Sequence, residues 1–354
     1  MIGTVPTAPG AHLIGSVPLD DAETVFRTVA GALWGALRRI PDGETGVRRR
    51  WIWFQREMLE RHPAMEIDPT VPLFALRQWD GKLLRETPLL RFRADVDPET
   101  VEFPTGYAEA AQASFEVFRR VQGEGAISPR TRFQVCLPTP MASAYMYVSP
   151  KARDAYLPVY ERALLRALGE VVEAIPPTRL AIQWDVCQEV LIAEGFFPDR
   201  PADYEARIVA ELARLGNAVP GEAEMGYHLC YGSPGDEHLV MPKDMGLMVG
   251  LANGVRGALR RRLDFLHMPV PKDRTDAAYF GPLRDLAGLA ETALYLGLIH
   301  HDDRAGDRAR IRTARAIVPT FGIASECGWG RGDPARVPGL LESHRIALKE
   351  MEAA

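Results

Sequence analysis

The length, composition and charge of the chain predict a single large globular enzyme. The chain has 354 residues, of which 47% are hydrophobic and 25% charged, and its formal net charge is −5. A chain of this size can bury a large core without disulfides, and its charge offers no basic surface for nucleic acid. No signal peptide is indicated, and no apolar run reaches the ~18 residues that a membrane span needs. With only four cysteines, we expect a cytoplasmic protein with reduced thiols.

Short apolar runs alternate with amphipathic helical stretches, a pattern typical of parallel strands joined by crossover helices. The predicted strands are His12–Gly15, Arg38–Ile40, Phe133–Leu137, Leu180–Trp184, Met225–Leu229, Leu263–Leu266, Ala293–Leu298 and Thr320–Ala324. The predicted helices are Ala22–Leu37, Tyr107–Val121, Ala155–Glu173, Asp203–Leu215, Met245–Leu259, Asp307–Ala316 and Val337–Met351. Eight such strands predict a (β/α)8 TIM barrel formed by residues 1–354 as one domain, with an insertion around residues 60–130. A doubly wound open sheet is the alternative fold.

Polar and sulfur side chains follow these predicted strands repeatedly. Barrel enzymes carry their chemistry at the C-terminal ends of the strands, so we expect these side chains to meet at one face of the barrel. In chain order they are Ser16, Glu44, Asp185, His228, Cys230, His267, His300 and Cys327.

The sequence His228-Leu-Cys230, with the distant Cys327, predicts a zinc site. Two thiolates and an imidazole are three of the ligands that tetrahedral zinc takes, and three protein ligands would leave one position open, as in catalytic zinc sites. His228 and Cys230 lie on the same side of a strand because side chains alternate along it. The alternative is a buried histidine with two inert core cysteines.

Two loops offer groups that could contact a substrate. Ser16 ends the first predicted strand in a tight turn, and Pro41-Asp-Gly-Glu-Thr-Gly46 combines two carboxylates with two glycines. Carboxylates there could receive an ammonium group through charge-assisted hydrogen bonds. Simple turns, with Asp20 or Asp21 capping the next helix, would give the same pattern. Asp185 follows an apolar run, where a carboxylate is usually paired or functional.

Further histidines and acids leave several alternatives open. His267 precedes a proline-stiffened loop and is a candidate fourth metal ligand, a substrate contact, or a catalytic acid or base. Cys187 is expected in the core or behind the ligands. The remaining candidates are His300 and His301, as donors behind the metal or as surface residues, and Asp236, Glu237 and His238, as capping residues.

Taken together, these motifs resemble the catalytic C-terminal barrel of cobalamin-independent methionine synthase, within the barrel superfamily that includes uroporphyrinogen decarboxylase. The resemblance covers nearly the whole chain. It is carried, in the family's order, by Ile14-Gly-Ser-Val-Pro18, Asp42-Gly-Glu44, Ile182-Gln-Trp-Asp185, His228-Leu-Cys230-Tyr231 and Ser325-Glu-Cys-Gly328.

The resemblance implies roles for several residues. His228, Cys230 and Cys327 match zinc ligands. Glu44 and Asp185 match carboxylates that hold the amino group of homocysteine, and Ser16 matches a residue near its carboxylate. The implied activity is methyl or alkyl transfer to a small thiol that Zn²⁺ activates as the thiolate.

Two departures from the family bear on this activity. The family's fourth ligand, a glutamate, is absent, and the matching strand offers His267. We also expect no N-terminal barrel of the kind that helps to bind folate, so a corrinoid protein or another methyl donor is expected to suit this chain better than folate. The alternatives are a zinc-assisted lyase or decarboxylase with His267 as acid or base, and a non-catalytic protein that binds a thiol metabolite or stores metal.

Overall fold

The computed structural model describes residues 9–234 and 237–352. The strands are β1 (Arg39–Pro41), β2 (Met65–Ile67), β3 (Phe74–Arg77), β4 (Leu83–Thr87), β5 (Leu90–Phe92), β6 (Arg132–Pro138), β7 (Leu180–Val186), β8 (Glu224–Leu229), β9 (Phe265–Pro269), β10 (Ala293–Ile299) and β11 (Gly322–Ser325). The α-helices are α1 (Ala22–Ala32), α2 (Trp53–Arg61), α3 (Tyr107–Gly123), α4 (Pro140–Tyr147), α5 (Arg153–Ala174), α6 (Gln188–Ala193), α7 (Tyr204–Ala218), α8 (Gly246–Ala258), α9 (Ala277–Phe280), α10 (Arg304–Arg315) and α11 (Val337–Glu352). In these described residues, no helix is both long and apolar enough to cross a membrane.

Seven strands form one parallel sheet in the order β1-β6-β7-β8-β9-β10-β11. Because the neighbours follow one another along the chain, each crossover returns next to the strand it left, and the sheet curls in a TIM-like way. The predicted strands from Arg38 onward are thus confirmed, with ends displaced by a few residues. The doubly wound alternative is wrong, since its strand order reverses within the sheet.

The first predicted strand, His12–Gly15, is wrong as a strand. Instead, the segment just before it lies between the two edges of the sheet. Ala11 forms parallel bridges to Leu37 on one side and to Ile323 on the other. The His12 amide donates to the Ile323 carbonyl at 2.9 Å. Gly10 has a positive φ of 78°, and a side chain there would collide with the Ala36 carbonyl.

The insertion around residues 60–130 is confirmed as a region outside the parallel sheet. It contains two small antiparallel pairs, β2 with β5 and β3 with β4, and the predicted helix appears as α3. The β3–β4 hairpin turns at Gly81, where φ is 85°. Short strands with mixed burial explain why this region showed no clear period in the sequence.

The register of the sheet places three polar side chains in one row. Asp185 on β7 pairs with His228 on β8, which pairs with His267 on β9. All three are buried. The parallel sheet therefore brings together, at one level, residues that are up to 82 positions apart in sequence.

Candidate metal centre

Three side chains converge beyond the ends of β8 and β11. The Sγ atoms of Cys230 and Cys327 lie 3.7 Å apart, and Cys327 Sγ lies 3.9 Å from His228 Nε2. All three ligand atoms fall within 4.8 Å of one another, the one such group of three found among the described residues. The predicted set His228, Cys230 and Cys327 is therefore brought together.

The spacing of these atoms fits a zinc ion. Around tetrahedral zinc with Zn–S bonds of about 2.3 Å, two sulfurs lie about 3.8 Å apart. Two sulfurs and an imidazole are also the donor types that zinc prefers over harder cations. The three residues fit Zn²⁺ in both geometry and chemistry.

Each ligand is positioned by the local backbone. His228 lies on β8, and the Cys230 amide continues the pairing with β7 by donating to the Val186 carbonyl at 2.9 Å. The Gly232 amide in turn donates to Cys230 Sγ at 3.3 Å. Gly232 has a φ of 67°, and its turn brings this amide back onto the sulfur.

The two thiols interact directly. A hydrogen bond between the two sulfurs lowers the pKa of Cys327 well below its ordinary value. A contact to Cys187, followed by the contact to Cys327, raises the pKa of Cys230. The two sulfurs thus share a proton in this hydrogen bond, and a divalent cation would replace it.

His267 lies behind His228 and not among the ligand atoms. Its Nδ1 is 2.7 Å from His228 Nδ1, and its Nε2 is 3.1 Å from the Ser325 carbonyl. A carbonyl can only accept, so Nε2 of neutral His267 donates, and its Nδ1 accepts from His228 Nδ1–H. Burial lowers the pKa of His267 well below its ordinary value, which keeps the ring neutral.

This chain of hydrogen bonds has a direct consequence for His228. With its proton on Nδ1, His228 presents the lone pair of Nε2 toward Cys327, as a metal ligand must. Both nitrogens of His267 are used, its side chain is fully buried, and it borders neither cavity described below. The predictions of His267 as fourth ligand or as acid or base do not fit these contacts. The reason is that the register of β8 and β9 pairs His267 with His228, so its ring lies against the His228 ring and not among the ligand atoms.

A pair of buried carboxyl groups lies beside the metal ligands. Asp185 accepts hydrogen bonds from Gln183 Nε2 at 2.8 Å and from Trp51 Nε1 at 3.1 Å. Burial raises the pKa of Asp185 to about 6. Burial and the neighbouring Asp185 raise the pKa of Glu44 well above its ordinary value. The pair is therefore ready to take a cationic partner, which would restore the charged form of both groups.

The loop that carries Glu44 is held in a strained conformation. Gly43, Glu44 and Trp51 all have positive φ, and for Glu44 and Trp51 the value is 48°. Asp42 holds the loop, since it accepts from the Glu44 amide at 2.9 Å and from Ser114 Oγ at 2.7 Å and pairs with Arg48. Such strain persists where the surrounding structure over-determines it, often at functional sites. Asp42 is thus a structural residue of this loop, while Glu44 faces the cavity.

Ser16 is placed against the loop that follows Cys327. Its Oγ accepts from the Gly330 amide at 3.2 Å, and its carbonyl accepts from the Trp329 amide at 2.7 Å. A side chain at Gly328 or Gly330 would collide with Ser16. Asp21, not Asp20, caps α1, by accepting from the Thr24 amide.

The ligands and carboxyl groups open onto one cavity of about 550 Å³. Ser16, Glu44 and Asp185 all border it, so the predicted substrate residues and the predicted zinc ligands share one site. Cys187 also borders it, close behind Cys230. No pattern in the sequence pointed to Trp51, which borders the same cavity and donates to Asp185.

A second cavity of about 770 Å³ lies on the other side of Cys327. His238 Nε2 is 2.6 Å from Glu326 Oε2, and His300 Nδ1 is 4.0 Å from Glu326 Oε1. Although burial alone would lower it, the Glu326 carboxylate raises the pKa of His238. His300 is buried behind the cysteine loop, whereas His301 lies nearer the surface beside Asp302.

The loop predicted to supply capping residues has a different role where it is described. Glu237 accepts a hydrogen bond from Gln78, and His238 pairs with Glu326 instead of capping a helix. Asp236 lies outside the described residues.

Comparison with known proteins gives a match at the level of the structure. No protein-family model matches the sequence, and no curated protein matches it. Among solved structures, the chain is similar to a B12-independent methionine synthase from Shewanella sp. W3-18-1, determined in complex with selenomethionine. The sequences are 13% identical, the TM-score is 0.65, and the match covers 98% of each chain. The resemblance predicted from the motifs is thereby confirmed at the level of the fold, along nearly the whole chain.

Proposed function

We propose that the protein is a zinc-dependent methyl- or alkyltransferase that acts on homocysteine or a similar small amino thiol. The observation that carries this proposal is the group of two sulfurs and one imidazole nitrogen at the floor of a cavity that also contains two carboxyl groups. The shared fold with a B12-independent methionine synthase supports the same activity.

The proposal extends to the fold and its family. We propose that the Gly10–His12 segment acts as the first of eight strands and closes a (β/α)8 barrel, since Ala11 bridges both edge strands. We also propose that residues 1–354 form one catalytic domain of the methionine synthase-like superfamily. The methyl donor is left open between a folate, a corrinoid protein and another small donor.

His228, Cys230 and Cys327 would hold the zinc ion. When bound, zinc supplies Lewis acidity that favours the thiolate form of a sulfur substrate near neutral pH. Three protein ligands leave one position for that sulfur, as in other catalytic zinc sites.

Glu44 and Asp185 orient the amino thiol. An ammonium group beside them receives charge-assisted hydrogen bonds and offsets the repulsion between the two carboxylates. Trp51 fixes one oxygen of Asp185 by its indole N–H. The other end of an amino acid substrate would lie near Ser16, beside the Gly328–Gly330 backbone. These contacts hold the sulfur in one position relative to the donor and exclude water from it.

His267 positions His228. The 2.7 Å contact between their Nδ1 atoms fixes which nitrogen of His228 carries the proton. Partners of this kind typically change metal affinity by 10–100-fold. His267→Leu removes the acceptor and should weaken zinc binding by about tenfold or more, whereas His267→Asn keeps an acceptor oxygen and should recover part of the loss. Equal zinc affinity in wild type and His267→Leu would contradict this role.

Cobalt substitution tests the proposed function directly. In the cobalt(II)-loaded protein, homocysteine should produce a new sulfur-to-metal charge-transfer band, and methylated product should form when a suitable methyl donor is added. Methionine, which has no thiol, is the matched control and should leave the spectrum unchanged. A spectrum that does not respond to homocysteine or to other amino thiols would contradict the proposal.

A further inference from the structure

The cavity wall around Arg85, on β4, has a charge that the proposed chemistry does not use. The Arg85 guanidinium carbon lies over the Trp53 ring, 4.0 Å from its centre. Its Nε is buried and has no hydrogen-bond partner among the described residues. Both side chains border the cavity that contains the metal ligands, together with Tyr147.

Arg85 has no acidic partner within the described part of the chain. The charged groups that act on it are the neighbouring guanidinium groups of Arg56 and Arg50, and burial together with these lowers the pKa of Arg85. The Tyr147 hydroxyl is a hydrogen-bonding neighbour of Arg85. Arg56, by contrast, is paired with Glu60 at 2.6 Å. A half-buried cation without a counter-ion is costly unless a ligand supplies the anion.

Two further arginines of this wall, Arg49 and Arg50, also form no ion pair with an acidic side chain in the part of the chain that the structure describes. Arg49 donates to the Gly330 and Gly332 carbonyls, and Arg50 is exposed at the border of the same cavity. The cavity is therefore bipolar, with the Glu44 and Asp185 carboxyl groups beside the metal ligands and guanidinium groups along another part of the wall. Its volume of about 550 Å³ lies in the range of sites for ligands much larger than homocysteine.

We propose that Arg85, stacked on Trp53 and supported by Arg50, binds an anionic group of a substrate whose reacting end lies at the metal ligands. The ligand chemistry is a carboxylate or phosphate, because a guanidinium whose face is covered by an aromatic ring presents its N–H edge to a planar anion. The anion belongs to the thiol or to the methyl donor. This inference rests on the proposed function for the position of the reacting end.

Matched ligand pairs test the subsite in the zinc-loaded full-length protein by isothermal titration calorimetry. The thiol pair is glutathione and its glycyl ethyl ester. The donor pair is 5-methyltetrahydrofolate and a 5-methyltetrahydropterin without the glutamyl tail. Each ligand is titrated into wild type, Arg85→Gln and the control Arg77→Gln, which changes an exposed arginine of the same hairpin that borders neither cavity.

For at least one of the two ligand pairs, we expect the ligand without the anion to bind about tenfold more weakly than its partner in wild type and in Arg77→Gln. In Arg85→Gln the same two ligands should differ in affinity by less than twofold. The pair that responds identifies the source of the anion. S-methylglutathione, which has no free thiol, distinguishes a failure of the proposed function from a failure of the Arg85 subsite. If the thiol does not bind at the metal, S-methylglutathione should bind as well as glutathione and should still lose affinity in Arg85→Gln. The subsite is overturned if Arg85→Gln alters the affinity for none of these anions, or if none of them binds.

Discussion

Two pairs of buried carboxyl groups flank the end of β7, and they differ in what surrounds them. Glu44 and Asp185 border the cavity with the metal ligands. Glu189, at the start of α6, lies beside Glu211 of α7 and borders neither of the two cavities. Burial raises the pKa of Glu189 to about 7, and burial with Glu189 raises the pKa of Glu211 well above its ordinary value.

Both pairs are therefore strongly perturbed, but only one of them can meet a ligand. A raised pKa reports burial and a like-charged neighbour, and structural pairs produce it as readily as active sites do. What distinguishes Glu44 and Asp185 is an open cavity, a strained loop and a group of sulfur ligands within reach. The comparison shows that electrostatic perturbation becomes evidence for function only together with access and chemistry.

The largest effect on zinc binding should come from the proposed metal ligands, which lie beside the Glu44 and Asp185 pair only. Cys327→Ser should lower zinc affinity by more than about 100-fold, beyond the 10–100-fold that changes behind the ligands typically cause. Zinc content and competition with a chelator measure it. Cys136→Ser is the matched control, because Cys136 is buried nearby but donates to the Ile14 carbonyl and is not a ligand. If Cys327→Ser retained zinc as fully as wild type, the proposed metal centre would be contradicted.

The two carboxyl pairs can be compared by one isosteric change in each. Glu44→Gln should weaken homocysteine binding by about 30-fold, since a charge-assisted hydrogen bond is worth about 1.5–3 kcal/mol, and Glu189→Gln should leave it unchanged. Calorimetry with homocysteine and with 4-mercaptobutyrate, which lacks the amino group, measures the difference. The proposed difference between the two carboxyl pairs would be wrong if both variants bound homocysteine with equal affinity. It would also be wrong if Glu44→Gln weakened the binding of 4-mercaptobutyrate as much as that of homocysteine.

The second pair should instead control stability against pH. The pKa of Glu189 is raised in the folded protein, so the stability linked to its proton is present below about pH 4.5 and is lost as the pH rises through about 7. Glu189→Gln should flatten that loss and stabilise the protein at pH 8 by about 3 kcal/mol, because a shift of one pKa unit is worth about 1.4 kcal/mol. Urea unfolding at pH 5 and pH 8 measures it, with Glu109→Gln on the exposed face of α3 as control. If the free energy of unfolding changed equally between pH 5 and pH 8 in wild type and in Glu189→Gln, the result would show that this pair stays ionised.

The smallest effect should come from the indole that holds Asp185. Trp51→Phe removes the 3.1 Å hydrogen bond to Asp185 but keeps an aromatic ring. Loss of about 1 kcal/mol corresponds to roughly fivefold weaker binding of homocysteine, with zinc content unchanged. Trp34→Phe, at an exposed tryptophan, is the control. An unaltered affinity would mean that Gln183 alone orients Asp185.

The cluster of His228, Cys230 and Cys327 could be predicted because strand ends and the spacing of the sulfur residues are both visible in the sequence. Cys230 and Cys327 each follow an apolar run, and parallel strands bring such ends together. Glu44 and Asp185 were found by the same reasoning, and the motifs also indicated the fold that the structural comparison confirmed.

Other features depend on contacts that no local pattern encodes. The role of His267 depends on the register between β8 and β9 and on a contact between two ring nitrogens. The Gly10–His12 segment is too short to form a strand and is recognisable by its bridges at Ala11. Trp51 and Arg85 come from a turn and from the insertion, where hydrophobic periodicity is weak.

X-ray absorption at the zinc edge, recorded with and without homocysteine, tests the central claim most directly. The protein should contain about one zinc per chain with two sulfur ligands and one imidazole nitrogen, and homocysteine should add a third sulfur. A folded protein that binds no zinc, or a zinc whose ligands do not change when homocysteine is added, would contradict the account.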